Sequence, residues 1–144
     1  MAPQRSISRT HQCANVASAL MLALTLGSVG IAMTANLSGK WRPSHIGSIV
    51  VPSETKIFIQ FMTNNRIAGH GGCNRLSGPY AVSDHTVTIG PIASTRMICP
   101  KSVMDLETAF ISAVERAKTF QQDGTKLVLQ DAAMAEILQF VQID

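Results

Sequence analysis

The sequence predicts a mainly β domain of the α+β kind: a small curled antiparallel sheet or barrel of about eight strands with one packed helix. Three observations predict it. From Leu37 onward, short alternating apolar and polar runs are separated by turn signals such as Asn64-Asn65, Ser83-Asp84-His85 and Asp123-Gly124. A single stretch, Ser102 to Arg116, switches to helical spacing. Finally, the chain has 144 residues, and once residues 1–35 are set aside as a leader there is room for one domain.

The leader differs in texture from everything that follows. Arg5, Arg9 and His11 make a short basic start, and no charged residue then occurs from Cys13 to Gly39. A basic segment followed by an apolar one has the form of a signal peptide, with small residues offering cleavage after Ala32 or after Ala35. Residues 14–33 are also long enough to stay as an uncleaved membrane anchor, since a span needs about 20 apolar residues. Either way the basic flank places the bulk of the chain outside the cytoplasm, in the periplasm or at the envelope.

The elements of residues 36–144 follow in order. Gly39 to Arg42 is expected as a first strand stopped by Pro43, with a loop over 43–55. Thr55 to Met62 is the clearest strand, because Ile57, Ile59 and Phe61 share a face opposite Lys56 and Gln60. Asn64-Asn65 tolerates positive φ, so Arg66 to His70 returns as its hairpin partner. Pro79–Val82 and Thr86–Ile89 form a second hairpin, and Ile92–Met97 a further short strand. In the helix, Val103, Leu106, Phe110, Ala113, Val114 and Ala117 make the apolar face, while Glu107 and Glu115 lie elsewhere on the wheel. Pro100 suits a helix entry, and Ser102 before Asp105 resembles a capping box with a shorter acid. Lys118–Gln121 and Lys126–Gln130 flank Asp-Gly as a hairpin, and Glu136–Gln142 closes the chain as a last strand.

Charge and cysteine count narrow the function. The whole chain carries +3, but residues 36–144 hold ten Lys/Arg against nine Asp/Glu, so the basic character belongs partly to the leader. No Lys/Arg stripe of the kind that neutralises a row of phosphates occurs, which argues against nucleic acid. Of three cysteines, Cys13 lies in the leader and leaves Cys73 and Cys99, an even pair that predicts a disulfide in an oxidising compartment.

Two segments carry the most specific pattern: GHGGCNRLSGPY at 69–80 and STRMICP at 94–100, followed by a helix with Glu107 and Phe110 and by GTKLVLQD at 124–131. In this order and separation they resemble the META domain, also called the HslJ-like domain, from Trp41 to about Phe140. The resemblance implies a small β-rich domain with one helix, exported and often lipid-anchored, with no established catalysis. It also implies association with envelope stress, with novobiocin tolerance and, in some parasites, with secretion and virulence. One departure stands out: many relatives carry a lipobox cysteine at the end of the leader, whereas Cys13 precedes the apolar run.

His70 lies three residues from Cys73 and would activate it in a thiol enzyme, but no orienting acid or oxyanion donor can be assigned. His70, Cys73 and Cys99 would need a fourth ligand to hold zinc, and the His-x-x-Cys spacing lacks zinc-site logic. Gly69-x-Gly71 lacks the strand–loop–helix setting of a phosphate cradle. His45 and His85 are expected in solvated loops, and Met62, Met97 and Met104 in the core. Asn74 is expected to bond its own backbone in an Asx turn. Arg75 and Arg96 become neighbours if the bridge forms, and would hold an anionic group or be tied by Asp84 or Glu107. Asn74, Arg75, Tyr80 and Arg96 together form the expected binding surface. The reading is a non-catalytic module without cofactor or metal, binding a small ligand or an envelope protein. The alternatives are a thiol enzyme using Cys73, and an inhibitor or secretion-apparatus partner docking through a sheet edge.

Overall fold

The computed structural model of the chain describes residues 36–144. The expected leader and its processing sites lie outside the described residues. The described residues form ten strands and one helix: β1 (Gly39–Ile46), β2 (Ile49–Val50), β3 (Phe58–Met62), β4 (Arg66–His70), β5 (Arg75–Ser83), β6 (Thr86–Ile89), β7 (Ala93–Ser94), α1 (Lys101–Arg116), β8 (Thr119–Asp123), β9 (Lys126–Gln130) and β10 (Glu136–Ile143). Eight of the strands form a closed antiparallel barrel in the order β1-β3-β4-β5-β6-β8-β9-β10, with β10 pairing back onto β1 from Lys40↔Ile143 to Ile46↔Leu138. The other two are short additions, β2 on β1 and β7 on β5. Closure leaves no long free edge in the barrel itself.

Inward positions recur with period two: Ile59 and Phe61 on β3, Val87 and Ile89 on β6, and Leu127 and Leu129 on β9 are all buried. Trp41, wholly buried, donates its indole N–H to the Leu37 carbonyl at 2.9 Å, so its one polar atom is satisfied inside. The helix lays Phe110, Ala113 and Val114 against this interior, with the Phe110 ring edge-on to Phe140 at 6.2 Å between centroids. The space left beneath it is about 10 Å³, lined by apolar side chains such as Ile59, Ile67 and Phe110. So small an apolar space is a packing gap, and the barrel is a filled core.

Several boundaries differ from the sequence reading. β1 does not stop at Pro43 but runs on to Ile46. Pro43 pairs only with Phe140 of β10, beside a register shift, while β3 pairs with β1 only from Gly39 to Trp41. The missing N–H of proline therefore faces no strand. Part of the expected 43–55 loop is β2, and β3 begins at Phe58 because Thr55 is held in a turn by its hydroxyl on the Pro52 carbonyl, 2.9 Å away. β5 is longer than expected since it serves two partners in succession, β4 up to Pro79 and β6 from Tyr80. β7 is only Ala93–Ser94. The capping box does not form. The helix starts at Lys101 behind Pro100, which puts Ser102 inside the first turn, and Asp105 pairs instead with Lys101 at 2.7 Å. His45 sits within β1 and not in a loop, half-buried, whereas His85 is exposed at a turn.

Candidate functional site

β4 and β5 are joined by four residues, Gly71-Gly72-Cys73-Asn74, closed by the Gly71 N–H on the Asn74 carbonyl at 2.8 Å. This is the glycine segment singled out in the sequence. Gly72 has φ of +109°, a conformation that side chains resist. Gly71 is glycine for a different reason: a Cβ there would strike the carboxylate of Glu107. The tight loop turns consecutive amides toward one point, and Glu107 of α1 fills it. Its Oε2 accepts the Asn74 N–H at 2.6 Å and the Cys73 N–H at 3.1 Å, and its Oε1 accepts the Asn74 side-chain amide at 2.6 Å.

Glu107 is thus buried, against the expectation that it lies off the apolar face. Burial by itself pushes its pKa up. The hydrogen bonds from the Asn74 side chain, the Asn74 amide and the Cys73 amide, with the positive field of His70, outweigh that and hold it below the ordinary carboxylate range. A signal existed in the sequence, since Val103, Glu107, Phe110 and Val114 follow i, i+4, i+7, i+11. An acid within that stripe needs buried donors.

The other end of Asn74 completes a clamp. Its Oδ1 accepts the Met97 N–H at 2.7 Å and the Thr95 hydroxyl at 2.9 Å, contacts more than twenty residues away and not the Asx turn expected. Thr95 Oγ1 also accepts the Arg75 N–H at 3.1 Å. Cys73 and Cys99 form the expected disulfide, 26 residues apart in sequence. The helix, the glycine loop and the segment 95–99 are therefore tied together by one carboxylate, one amide and one covalent bond.

The four expected surface residues separate into two groups. Asn74 is buried with both ends of its amide engaged. Tyr80 is half-buried, its ring edge-on to Phe61 and its hydroxyl donating to the Met62 carbonyl at 2.8 Å. Burial raises the Tyr80 pKa, so it stays a neutral donor. Arg75 and Arg96 are exposed, and among the described residues neither pairs with Asp84 or Glu107. Met97 and Met104 are exposed as well, contrary to the core role expected of them. His70 does not address a thiol: its Nδ1 accepts the Gly72 N–H at 3.1 Å, and Cys73 Sγ is in the bridge. With both sulfurs bonded to each other, neither Cys73 nor Cys99 offers a thiolate beside His70.

Arg75 and His70 instead meet on the outside of the barrel. Cross-strand register places Phe58, His70 and Arg75 in one row over β3, β4 and β5, and Gln60, Ala68 and Ser77 in the next, continued by Ala93 of β7. These residues with Ser94 and Thr95 line a shallow groove of about 580 Å³. The Lys40 ammonium lies 4.2 Å over the Phe58 ring at one end, and among the described residues no carboxylate lines the groove. Sequence reasoning missed Phe58, Gln60 and Ser77, because only the sheet register brings them beside Arg75.

Comparisons place this architecture among known proteins. An NMR structure of a protein from Burkholderia xenovorans is similar in fold, at 24% identity and TM-score 0.60, over 74% of this chain and 83% of that one. A second NMR structure is similar at 21% identity and TM-score 0.59, over 74% and 90%. The crystal structure of a DUF4847 family protein from Bacteroides vulgatus is similar at 19% identity and TM-score 0.54, over 75% and 96%. No curated protein matches the chain. The META domain family matches residues 35–144, which span the barrel, the helix, the glycine loop and the disulfide, and the chain belongs to that family.

Proposed function

We propose that the chain is an exported, non-catalytic META domain that serves the envelope by binding, in stress protection or ligand capture, with the outer groove as its ligand face. The observation that carries this reading is the row Phe58–His70–Arg75: an apolar ring beside two basic groups, with no acid among the described residues that line the groove. Such a surface suits a small ligand, or a partner's side chain, that joins an anionic group to an apolar body. The filled interior supports an external site, since a ligand has no room inside the barrel.

The groups that catalysis would draw on are engaged structurally. Cys73 is bonded to Cys99, and Glu107 is held ionised by three donors, so it carries no proton to give near neutrality. Export is consistent with the disulfide and with the basic-then-apolar leader. Intact-mass measurement of protein from the native host reads the leader directly. Loss of the first 32 or 35 residues supports processing, while Met1 retained in the membrane fraction supports the anchor.

The groove is tested by amide-shift titration with acetate and with inorganic phosphate as probes. Shifts are expected at residues 68–70, 75–77 and 93–95, and Arg75→Ala should abolish them while leaving the melting temperature unchanged. Shifts spread evenly over the surface, or unaltered in Arg75→Ala, would remove the groove from consideration. A thiol enzyme would instead show turnover that Cys73→Ser abolishes in folded protein.

A further inference from the structure

The segment after β7 combines exposure with fixity. Ile98 is 95% exposed and its neighbour Met97 61%, an apolar pair at the surface. The chain continues from β7 into residues 95–98, which lead to the disulfide at Cys99. Alternate residues are fastened to the domain. The Thr95 N–H bonds the Arg75 carbonyl at 3.2 Å, the Met97 N–H bonds Asn74 Oδ1 at 2.7 Å, and Cys99 is in the disulfide. The backbone groups of the intervening Arg96 and Ile98 find no partner among the described residues. That period-two pattern is an open strand edge, with its outward N–H and C=O groups ready for a ladder.

We propose that residues 94–98 form a rigid, substrate-like edge that docks in the cleft of an endopeptidase, with Ile98 entering a primary pocket that takes an aliphatic side chain. Such a cleft reads an extended chain by backbone pairing and admits one side chain to a pocket, which matches an open edge carrying one fully projected aliphatic group. The clamp removes in advance the entropy that a flexible peptide loses on binding. It also separates an inhibitor from a substrate. A cut after Ile98 adds water across the Ile98–Cys99 peptide bond, leaving a carboxylate on Ile98 and an amine on Cys99. The first end stays tied through Met97 to Asn74 and the second through the disulfide to Cys73, so the ends remain together and can rejoin.

Two other occupants fit less well. A second copy pairing antiparallel with its twofold at the middle residue of the edge sets Arg96 opposite Arg96, and like charges directly opposed are destabilising. A lipid surface has no use for a fixed backbone, and an open edge with unpaired N–H and C=O groups is costly in hydrocarbon. The edge shares only Ser94 and Thr95 with the groove and presents Ile98 away from it, so the Arg75 side chain is not part of the proposal and Arg75→Ala should leave it intact.

The test uses the full chain with its disulfide formed, against three serine endopeptidases: an elastase-type enzyme with an aliphatic pocket, a chymotrypsin-type and a trypsin-type enzyme. The elastase-type enzyme should be inhibited, with only slow cutting at Ile98–Cys99. Ile98→Asp should weaken inhibition at least about 30-fold, the loss expected for a central anchor side chain. Ile98→Arg should transfer inhibition to the trypsin-type enzyme. Because the side chain is exposed, both variants should melt with the wild type. A wild type that inhibits none of the three overturns the proposal, as does an Ile98→Arg chain cut by the trypsin-type enzyme as fast as an ordinary substrate. Binding to anionic vesicles that Ile98→Asp abolishes, without inhibition, overturns it in favour of lipid.

Discussion

Glu107 stands where the packing of the helix and the turning of the glycine loop meet. Its carboxylate accepts two backbone amides and one side-chain amide, all buried. Each such donor left unpaired costs about 1–3 kcal/mol, so Glu107→Ala should destabilise by about 3–5 kcal/mol. Because the folded-state pKa is lowered, the stabilisation is fully present above the ordinary carboxylate value, about 4.3, and is lost as pH falls through the lowered one. Glu107→Gln should therefore be less stable at neutral pH, where its amide faces the Asn74 amide, and should lose less on acidification. Urea melts from pH 7 to pH 3 decide this, and parallel profiles for the two proteins would contradict it. Glycine is required at residue 71 on the same account, since any side chain there displaces the carboxylate.

At the scale of elements, the helix shows how far periodicity reaches. The apolar spacing of Phe110, Ala113, Val114 and Ala117 was legible, and all four are buried. Phe110→Ala should cost about 3–5 kcal/mol, because it empties a ring-sized volume that already has almost no slack around it. Glu115, by sequence an outer-face residue, accepts the Ile92 N–H at 2.8 Å and so is not a neutral control. Ser112, exposed and without a side-chain hydrogen bond, serves better: Ser112→Ala should stay within about ±0.5 kcal/mol. Equal small effects from Phe110→Ala and Ser112→Ala in a urea melt would remove the packed-helix account. The strand ends were less legible than the helix. Where β1 passes Pro43, the outcome depends on whether a neighbour needs the missing N–H, and that neighbour is distant in sequence.

For the whole molecule, the barrel closes by joining β1 to β10, while β6 meets β8 through one residue pair, Thr86↔Thr119, and two flanking backbone bonds. The disulfide lies across neither seam but fastens the segment that leads from β7 into the helix. Breaking it should lower stability by about 2–4 kcal/mol, chiefly by freeing the unfolded chain. Glu107 and Asn74 still hold the glycine loop without it, so the barrel should persist. Urea melts of the Cys73→Ser/Cys99→Ser protein beside the oxidised wild type measure this. Coincident curves would show that the bridge adds nothing, and an unfolded variant would show that the polar clamp cannot hold alone.

Alternation, turn residues and one helical stretch determined by themselves that this chain makes a small β structure with one helix, because strand and helix periods are local properties of a chain that must bury one face. The cysteine count fixed which pairing was available to residues 36–144, Cys73 with Cys99, and the structure contains that bond. Ring closure, the burial of Glu107 and Asn74, the exposure of Met97 and Ile98, and the row joining Phe58 to Arg75 were decided only by tertiary structure. Each depends on which distant segment arrives beside a residue. A polar side chain is buried when donors converge on it from another element, and an apolar one stays out when its backbone is fastened at an edge.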